Sequence, residues 1–426
     1  MLAIVLIVAI IFGFAISFIY KRSSYVLSFF LVFTPLLPTL LKQVGVEGGA
    51  IITRYFFLLL VLLIIKRNWN SSLVIIKRNI LVHAVILLII GMIVFNLLSE
   101  NNSDPLVFDF TFHSFLYCFI PFFLIIFLLN SPKFIADFLD SIPYWGVLFV
   151  FIFIFFFDFQ NIDYGDRFTF VEITGFDTIA SSRIFAITLI VSYMSLLKSK
   201  KFNIYLLASA LLSLFFLLIV GQRGTIIGVV LGLTMFGFYN LKKNNFAIIT
   251  GFVISISLLL FLRIIDLSSF EVFERFYELE KFREFERFQD YFTTWEIFEN
   301  NSFWAGEGSY GYYFLTEREY PHNILLESIS EYGLFGLISM MTIISTGLYY
   351  SIYLLRGKNI LYEYKIIANI WIMLLISVLV SGNIVNNAIF FIFSGVLVLG
   401  YTLTKKTNKA HFRYNFLRFN SLNQLS

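Results

Sequence analysis

Four side chains in this sequence could together handle an anionic leaving group and a hydroxyl: Arg183, Arg223, Arg287 and His322. The sharpest is Arg223, in Gly221-Gln222-Arg223-Gly224, a turn between two apolar runs. A hairpin this short holds the arginine at a membrane boundary. A planar guanidinium kept there meets phosphate or carboxylate in a bidentate manner, and a snorkelling arginine beneath a lipid headgroup is an equal alternative. Arg183 lies inside an apolar run, Arg54 just inside another, Arg167 beside Asp166, and Arg287 in the longest polar segment. Isolated buried arginines are costly, but several converging on one phosphate are compensated. Pairing with Asp166 or Asp177 is the competing reading, and for Arg167 the preferred one. His322, in Tyr320-Pro321-His322-Asn323, titrates near neutral pH and can take a proton from a hydroxyl nucleophile. A lone histidine is more often structural. This one stands on the same face as the arginine turn. Cys118 is the single cysteine, and His83, His113, His322 and His411 are far apart, so neither a disulfide nor a metal cluster is expected.

The elements that must position these residues are membrane helices. Hydrophobic residues make up 59% of the chain and charged residues 14%, against about 25% charged in a soluble domain. In hydrocarbon every backbone amide must be satisfied internally, so helices or closed barrels are the options. Apolar runs of about 17–23 residues fit helices. They fall at 2–20, 25–41, 50–65, 80–98, 111–130, 142–158, 177–197, 203–220, 225–240, 246–262, 333–354, 366–381 and 387–404. The first lacks a charged leader and a cleavage site and reads as a retained helix. The fold class is therefore an all-α polytopic integral membrane protein, with about 12–13 transmembrane helices and one large extracytoplasmic loop.

Lysine and arginine set the orientation. Lys21-Arg22, Lys66-Arg67, Lys77-Arg78, Lys133, Lys198 with Lys200-Lys201, Lys242-Lys243, Arg356 with Lys358, and Lys405-Lys406 all fall on one side, the cytoplasm by the positive-inside rule. The loop 263–321 on the other side holds 13 acidic and 6 basic residues. Loops this long are usually functional. Within it, aromatics spaced by about three between Phe270 and Phe298 read as an amphipathic interfacial helix capping the bundle. Ser309, beyond it, reads as accessible from outside.

Three segments in order then resemble the O-antigen ligase/polymerase superfamily of bacterial envelope glycosyltransferases. Val220-Gly221-Gln222-Arg223-Gly224 is similar to the family's Ser-Arg-Gly-type turn, with Gln222 in place of Ser or Thr. Arg287, Trp295 and Gly306-Glu307-Gly308 resemble its approach through the large periplasmic loop. His322-Asn323-Ile324-Leu325-Leu326, followed by Glu331-Tyr332-Gly333-Leu334-Phe335-Gly336, resembles its His-Asn start and Glu-x-Gly-x-x-Gly continuation. The resemblance covers roughly 203–354. It divides the chain into N-terminal helices 1–202, a core 203–354 and a C-terminal part 355–426, in an architecture similar to GT-C type glycosyltransferases.

The resemblance implies metal-independent, inverting glycosyl transfer at the outer leaflet of a bacterial plasma membrane, facing the periplasm or cell exterior. The donor would be a glycan on undecaprenyl pyrophosphate and the acceptor a second glycan. Arg223 and Arg287, with Arg183 third, would bind the pyrophosphate, and His322 would orient or deprotonate the attacking hydroxyl. No metal, cofactor or nucleic acid is implied; membrane lipids and a chain-length regulator are the further partners. Polymerisation of repeat units is preferred over ligation to a lipid A-core. The Phe-rich composition and the lack of an added C-terminal domain favour it. A flippase for lipid-linked oligosaccharide is the alternative from another class, disfavoured because no internal repeat is evident and the charges cluster at the outer boundary.

Overall fold

The computed structural model describes residues 23–33, 69–128, 131–156, 178–199, 203–220, 222–240, 283–300, 303–318 and 320–423. The runs expected at 2–20, 50–65 and 246–262, together with Arg54 and Arg167, lie outside them, as do residues 34–41 of the run 25–41 and the loop up to 282. The described residues form helices α1 (Ser23–Phe33), α2 (Trp69–Arg78), α3 (Ile80–Leu98), α4 (Pro105–Ser114), α5 (Ile120–Leu128), α6 (Pro132–Phe156) and α7 (Thr178–Lys198). These are followed by α8 (Ile204–Val220), α9 (Arg223–Asn240), α10 (Arg283–Asn300), α11 (Gly311–Thr316), α12 (Ile324–Arg356), α13 (Tyr362–Val378) and α14 (Ala388–Asn423). Among the described residues there is no strand, and six helical segments are long and apolar enough to cross a membrane.

Several boundaries differ from expectation for local reasons. The run expected from 111 starts at Pro105, because Asp104 accepts from Leu106 N–H at 2.8 Å and proline is preorganised for the first turn. A π-helical turn, Phe115–Phe119, joins α4 to α5, with Ile120 N–H bonded to Phe115 O. Pro121 follows at once; it has no N–H and its ring crowds the carbonyl four residues back, which the wider turn relieves. The amphipathic α2 is an element the hydropathy pattern does not announce.

Two packings set the frame. α3 runs antiparallel to α12: Asn79 at its start accepts from Tyr350 OH at 3.2 Å, and the ring of Phe95 near its end lies 5.6 Å from that of Phe335. α9 packs on α13 through Gly224, Gly228 and Gly232. A Cβ at Gly228 would lie 2.5 Å from Met373 O. Such a stripe of small residues lets membrane helices approach at backbone contact.

Candidate active site

The chain re-enters the bundle through buried Pro321 and exposed His322. His322 has φ 54, a left-handed backbone. Non-glycine residues held there store on the order of 1–3 kcal/mol. Asn323 returns to extended backbone, and its side-chain oxygen accepts from Leu325 N–H at 2.8 Å and Leu326 N–H at 3.3 Å. The asparagine is thus the N-cap of α12. The histidine is turned outward, edge-on to Tyr320 with ring centroids 4.7 Å apart.

α12 is broken at Gly333, whose φ 56 and ψ −143 interrupt the helix nine residues after it starts. Segment 303–310 threads the break. Glu307 N–H donates to Ser330 O at 3.1 Å, Gly308 N–H to Glu331 O at 2.8 Å, and Leu334 N–H to Phe303 O at 3.0 Å. These bonds satisfy the carbonyls and amide that a broken helix exposes. Gly306 and Gly333, one from each family-like motif, therefore serve backbone contact. A Cβ on Gly333 would stand 2.7 Å from both Gly306 N and Trp304 C. Ser309 is buried, a correction to its expected accessibility. Its N–H donates to Asn96 Oδ1 at 2.6 Å and its Oγ lies 2.8 Å from Tyr332 OH. The segment around it is an inserted cap rather than a surface turn.

α10 confirms a helix over the described part of the aromatic-rich stretch and packs against α12. Buried Asp290 joins it to α11, accepting from Tyr312 OH at 2.9 Å and pairing with Arg318. Burial and the Asp290 carboxylate push the Tyr312 phenol well above its ordinary pKa, so it stays a hydrogen-bond donor.

One short segment, 377–387, braces the elements that carry the candidate residues. Buried Arg183 donates from Nε to Ser377 Oγ at 2.9 Å, from Nη1 to Asn386 O at 2.8 Å and from Nη2 to Ser381 O at 3.2 Å. Thr225, two residues after Arg223, lies 3.1 Å from Ser377 Oγ and 3.2 Å from Ser182 Oγ. Buried Glu327, five residues after His322, accepts from Ile384 N–H through both oxygens, at 3.1 and 2.8 Å. Cys118 Sγ reaches Ile384 O at 3.1 Å. Half-buried Arg223, the first residue of α9, and exposed His322, just ahead of α12, thus leave elements fixed to the same segment.

The sequence candidates separate on this frame. Arg223 and His322 stand at the ends of braced helices. Arg183 is enclosed in protein, its fork engaged with three acceptors of the 377–387 segment. Arg287 lies on α10, and its side chain is outside the described set. Sequence reasoning passed over Glu327 as a buried partner, and Glu331 was noted only within a motif. Glu331 accepts from Tyr310 N–H at 2.9 Å. Their signal was two carboxylates four residues apart, hence on one helical face, opening a membrane helix. Glu331 Oε2 and the Asn387 side chain have no hydrogen-bond partner among the described residues.

No curated protein matches the chain. Residues 208–341 match a family model described as O-Antigen ligase. That span begins in α8, takes in the Arg223 turn, the long loop and His322, and ends in α12 past the Gly333 break. Through this segment, with its turn, inserted cap and broken helix, the chain is similar to the O-antigen ligase/polymerase superfamily.

Proposed function

We propose that the protein is a polymerase joining undecaprenyl-pyrophosphate-linked oligosaccharide repeat units into O-antigen, capsule or exopolysaccharide at the outer leaflet of the plasma membrane. The observation that carries this reading is the common brace: Arg223 and His322 extend from two helices tied to one 377–387 segment. One supplies a cation for a leaving pyrophosphate and the other a base for an incoming hydroxyl.

In the step envisaged, a hydroxyl oxygen of the acceptor sugar attacks the anomeric carbon of the donor glycan from the face opposite the pyrophosphate. The new C–O bond forms as the C–O bond to phosphate breaks, and the configuration inverts. The hydroxyl proton passes to a ring nitrogen of His322. The electron pair of the broken bond leaves on undecaprenyl pyrophosphate, whose growing charge is met by Arg223 and Arg287. Preorganised cations are most effective where charge develops. Arg183 becomes a positioning residue. Its fork already spends three of five N–H donors on Ser377, Ser381 and Asn386, which favours a positioning role over a grip on phosphate. Residues 203–354 carry the chemistry, yet the brace comes from both flanks, 1–202 through Arg183 and 355–426 through 377–387.

The test is purified protein incubated with a lipid-linked repeat unit. A ladder of longer lipid-linked glycans, undiminished by EDTA and lost in Arg223→Lys and His322→Ala, supports the reading. A requirement for a divalent ion would overturn the role of the arginines. Transfer only to lipid A-core would make the protein a ligase. Movement of single units across a proteoliposome bilayer, with no new glycosidic bond, would make it a flippase.

A further inference from the structure

At the opposite end of the bundle a crevice of about 630 Å³ opens between the α2–α3 junction, residues 345–350 of α12 and residues 401–406 of α14. Three exposed cations line it, Arg78, Lys405 and Lys406, and among the described residues no carboxylate does. Its floor is aromatic and fixed. Tyr350 and Tyr401 stack with centroids 3.8 Å apart, Tyr350 OH is tied to Asn79 Oδ1 at 3.2 Å, and Lys405 Nζ stands 5.6 Å over the Tyr401 ring. Its flank is apolar and open: Val74 is 44% exposed and Ile80 62%.

This combination selects a ligand class. A free phosphate or nucleotide would use the cations and leave the apolar flank idle. A bulk bilayer would meet single lysines without an aromatic floor between helices. A phospholipid uses both parts, because basic pockets between membrane helices take anionic headgroups while acyl chains follow apolar helix surface. The C-terminal turn of α2 also carries Lys77 and Arg78, where cations are favoured by the helix dipole. We propose that this crevice is a binding site for one anionic phospholipid, with Arg78, Lys405 and Lys406 on the headgroup phosphate and an acyl chain along Val74 and Ile80. The site lies at the basic boundary of the bundle, away from the proposed chemistry, and does not depend on it.

The test is binding of fluorescent phosphatidylglycerol to the purified full-length protein in neutral detergent, with phosphatidylcholine and inorganic phosphate as competitors. Saturable binding that phosphatidylcholine fails to displace is expected. Removing the cations as Arg78→Gln, Lys405→Gln and Lys406→Gln should weaken it by about fivefold per charge. Lys133→Gln with Lys358→Gln, which removes basic charge elsewhere on the same side, should leave it unchanged. Because the three cations are exposed, the lipid-free melting temperature should not move, and the single variants provide a graded series if the triple variant is unstable. Equal weakening in the control pair would mean diffuse attraction and overturn the site. So would equal competition by phosphatidylcholine. Full displacement by inorganic phosphate at equal affinity would reduce it to a phosphate site and overturn the lipid assignment.

Discussion

The two stretches of α12 on either side of Gly333 are built to different rules. Between Ile324 and Tyr332 no residue is exposed, and Glu327, Ser328, Ser330 and Glu331 are all buried. Beyond the break, Phe335, Ile338, Met341, Ser345 and Tyr349 form an exposed stripe at helical spacing, while Gly347 admits the ring of buried Trp371 from α13. The second stretch is an ordinary membrane helix with one face to lipid and one to protein. The first presents no exposed residue and carries carboxylates that would be prohibitively costly in lipid. One continuous helix could not do both, since its exposed stripe would carry on through the site. The break, and the loop threaded through it, separate anchoring from positioning.

The comparison breaks most severely at Gly333. Its φ and ψ lie near a region essentially reserved for glycine, and a Cβ there has no room against Gly306 and Trp304. Gly333→Ala should therefore remove the threaded loop along with the kink, costing roughly 3 kcal/mol or more. The readouts are the yield of detergent-stable protein and its melting temperature. A normal melting temperature would show that the two stretches do not need the break.

The next effect separates the two arginines. Arg183→Lys replaces a fork that holds three acceptors by a point donor, leaving buried carbonyls unpaired at about 1–3 kcal/mol each. It should lower the melting temperature and, through the loosened 377–387 segment, also lower polymer formation. Arg223→Lys should leave melting unchanged and abolish polymer formation. If both variants behave alike, the division between positioning and chemical arginine is wrong. Glu327→Ala comes below these, at about 1–3 kcal/mol for an unpaired Ile384 N–H, and Glu327→Gln should recover most of it by keeping an acceptor. A melting series of the two variants checks this.

Much of this was legible beforehand. Thr178–Lys198, Ile204–Val220 and Ile80–Leu98 fall within a residue or so of the apolar runs, because hydropathy over twenty residues is set by the membrane. The turn at Arg223 and the capping pair at Asn323 were local and equally readable. What was not legible arises from contacts between distant segments. Nothing near Arg183 in sequence announces Ser377, Ser381 and Asn386, so its engagement with one hydroxyl and two backbone carbonyls could not be read from the apolar run that holds it. The glycines at 306 and 333 could be seen as a motif, but their mutual contact requires the threaded loop. Ser309 looked exposed because its neighbours are polar, and it is buried because Asn96 and Tyr332 come from two other helices. An impermeant thiol probe for sidedness is therefore better placed at Trp304, which is 67% exposed.

The smallest expected effect is the most discriminating. His322 alone among the residues of the α12 entry combines exposure with a left-handed backbone, next to a cap that would work equally well after glycine. If the side chain served only structure, removing it would destabilise the protein. If the strain is held for chemistry, relieving it should stabilise. Glycine adopts φ near +54 without a steric penalty, so His322→Gly should raise stability by roughly 1 kcal/mol or leave it level. Asn323 would still cap α12, and polymer formation should fall to background. Imidazole added to His322→Gly should restore part of the activity only if the ring acts as a base, because a free base has room where the side chain was. His322→Ala serves as the control: it removes the ring and keeps the strain, so it should lose activity without the gain in melting temperature. A His322→Gly variant that melts several degrees lower, with no rescue by imidazole, would assign His322 to the packing of the loop and leave the proposed reaction without its base.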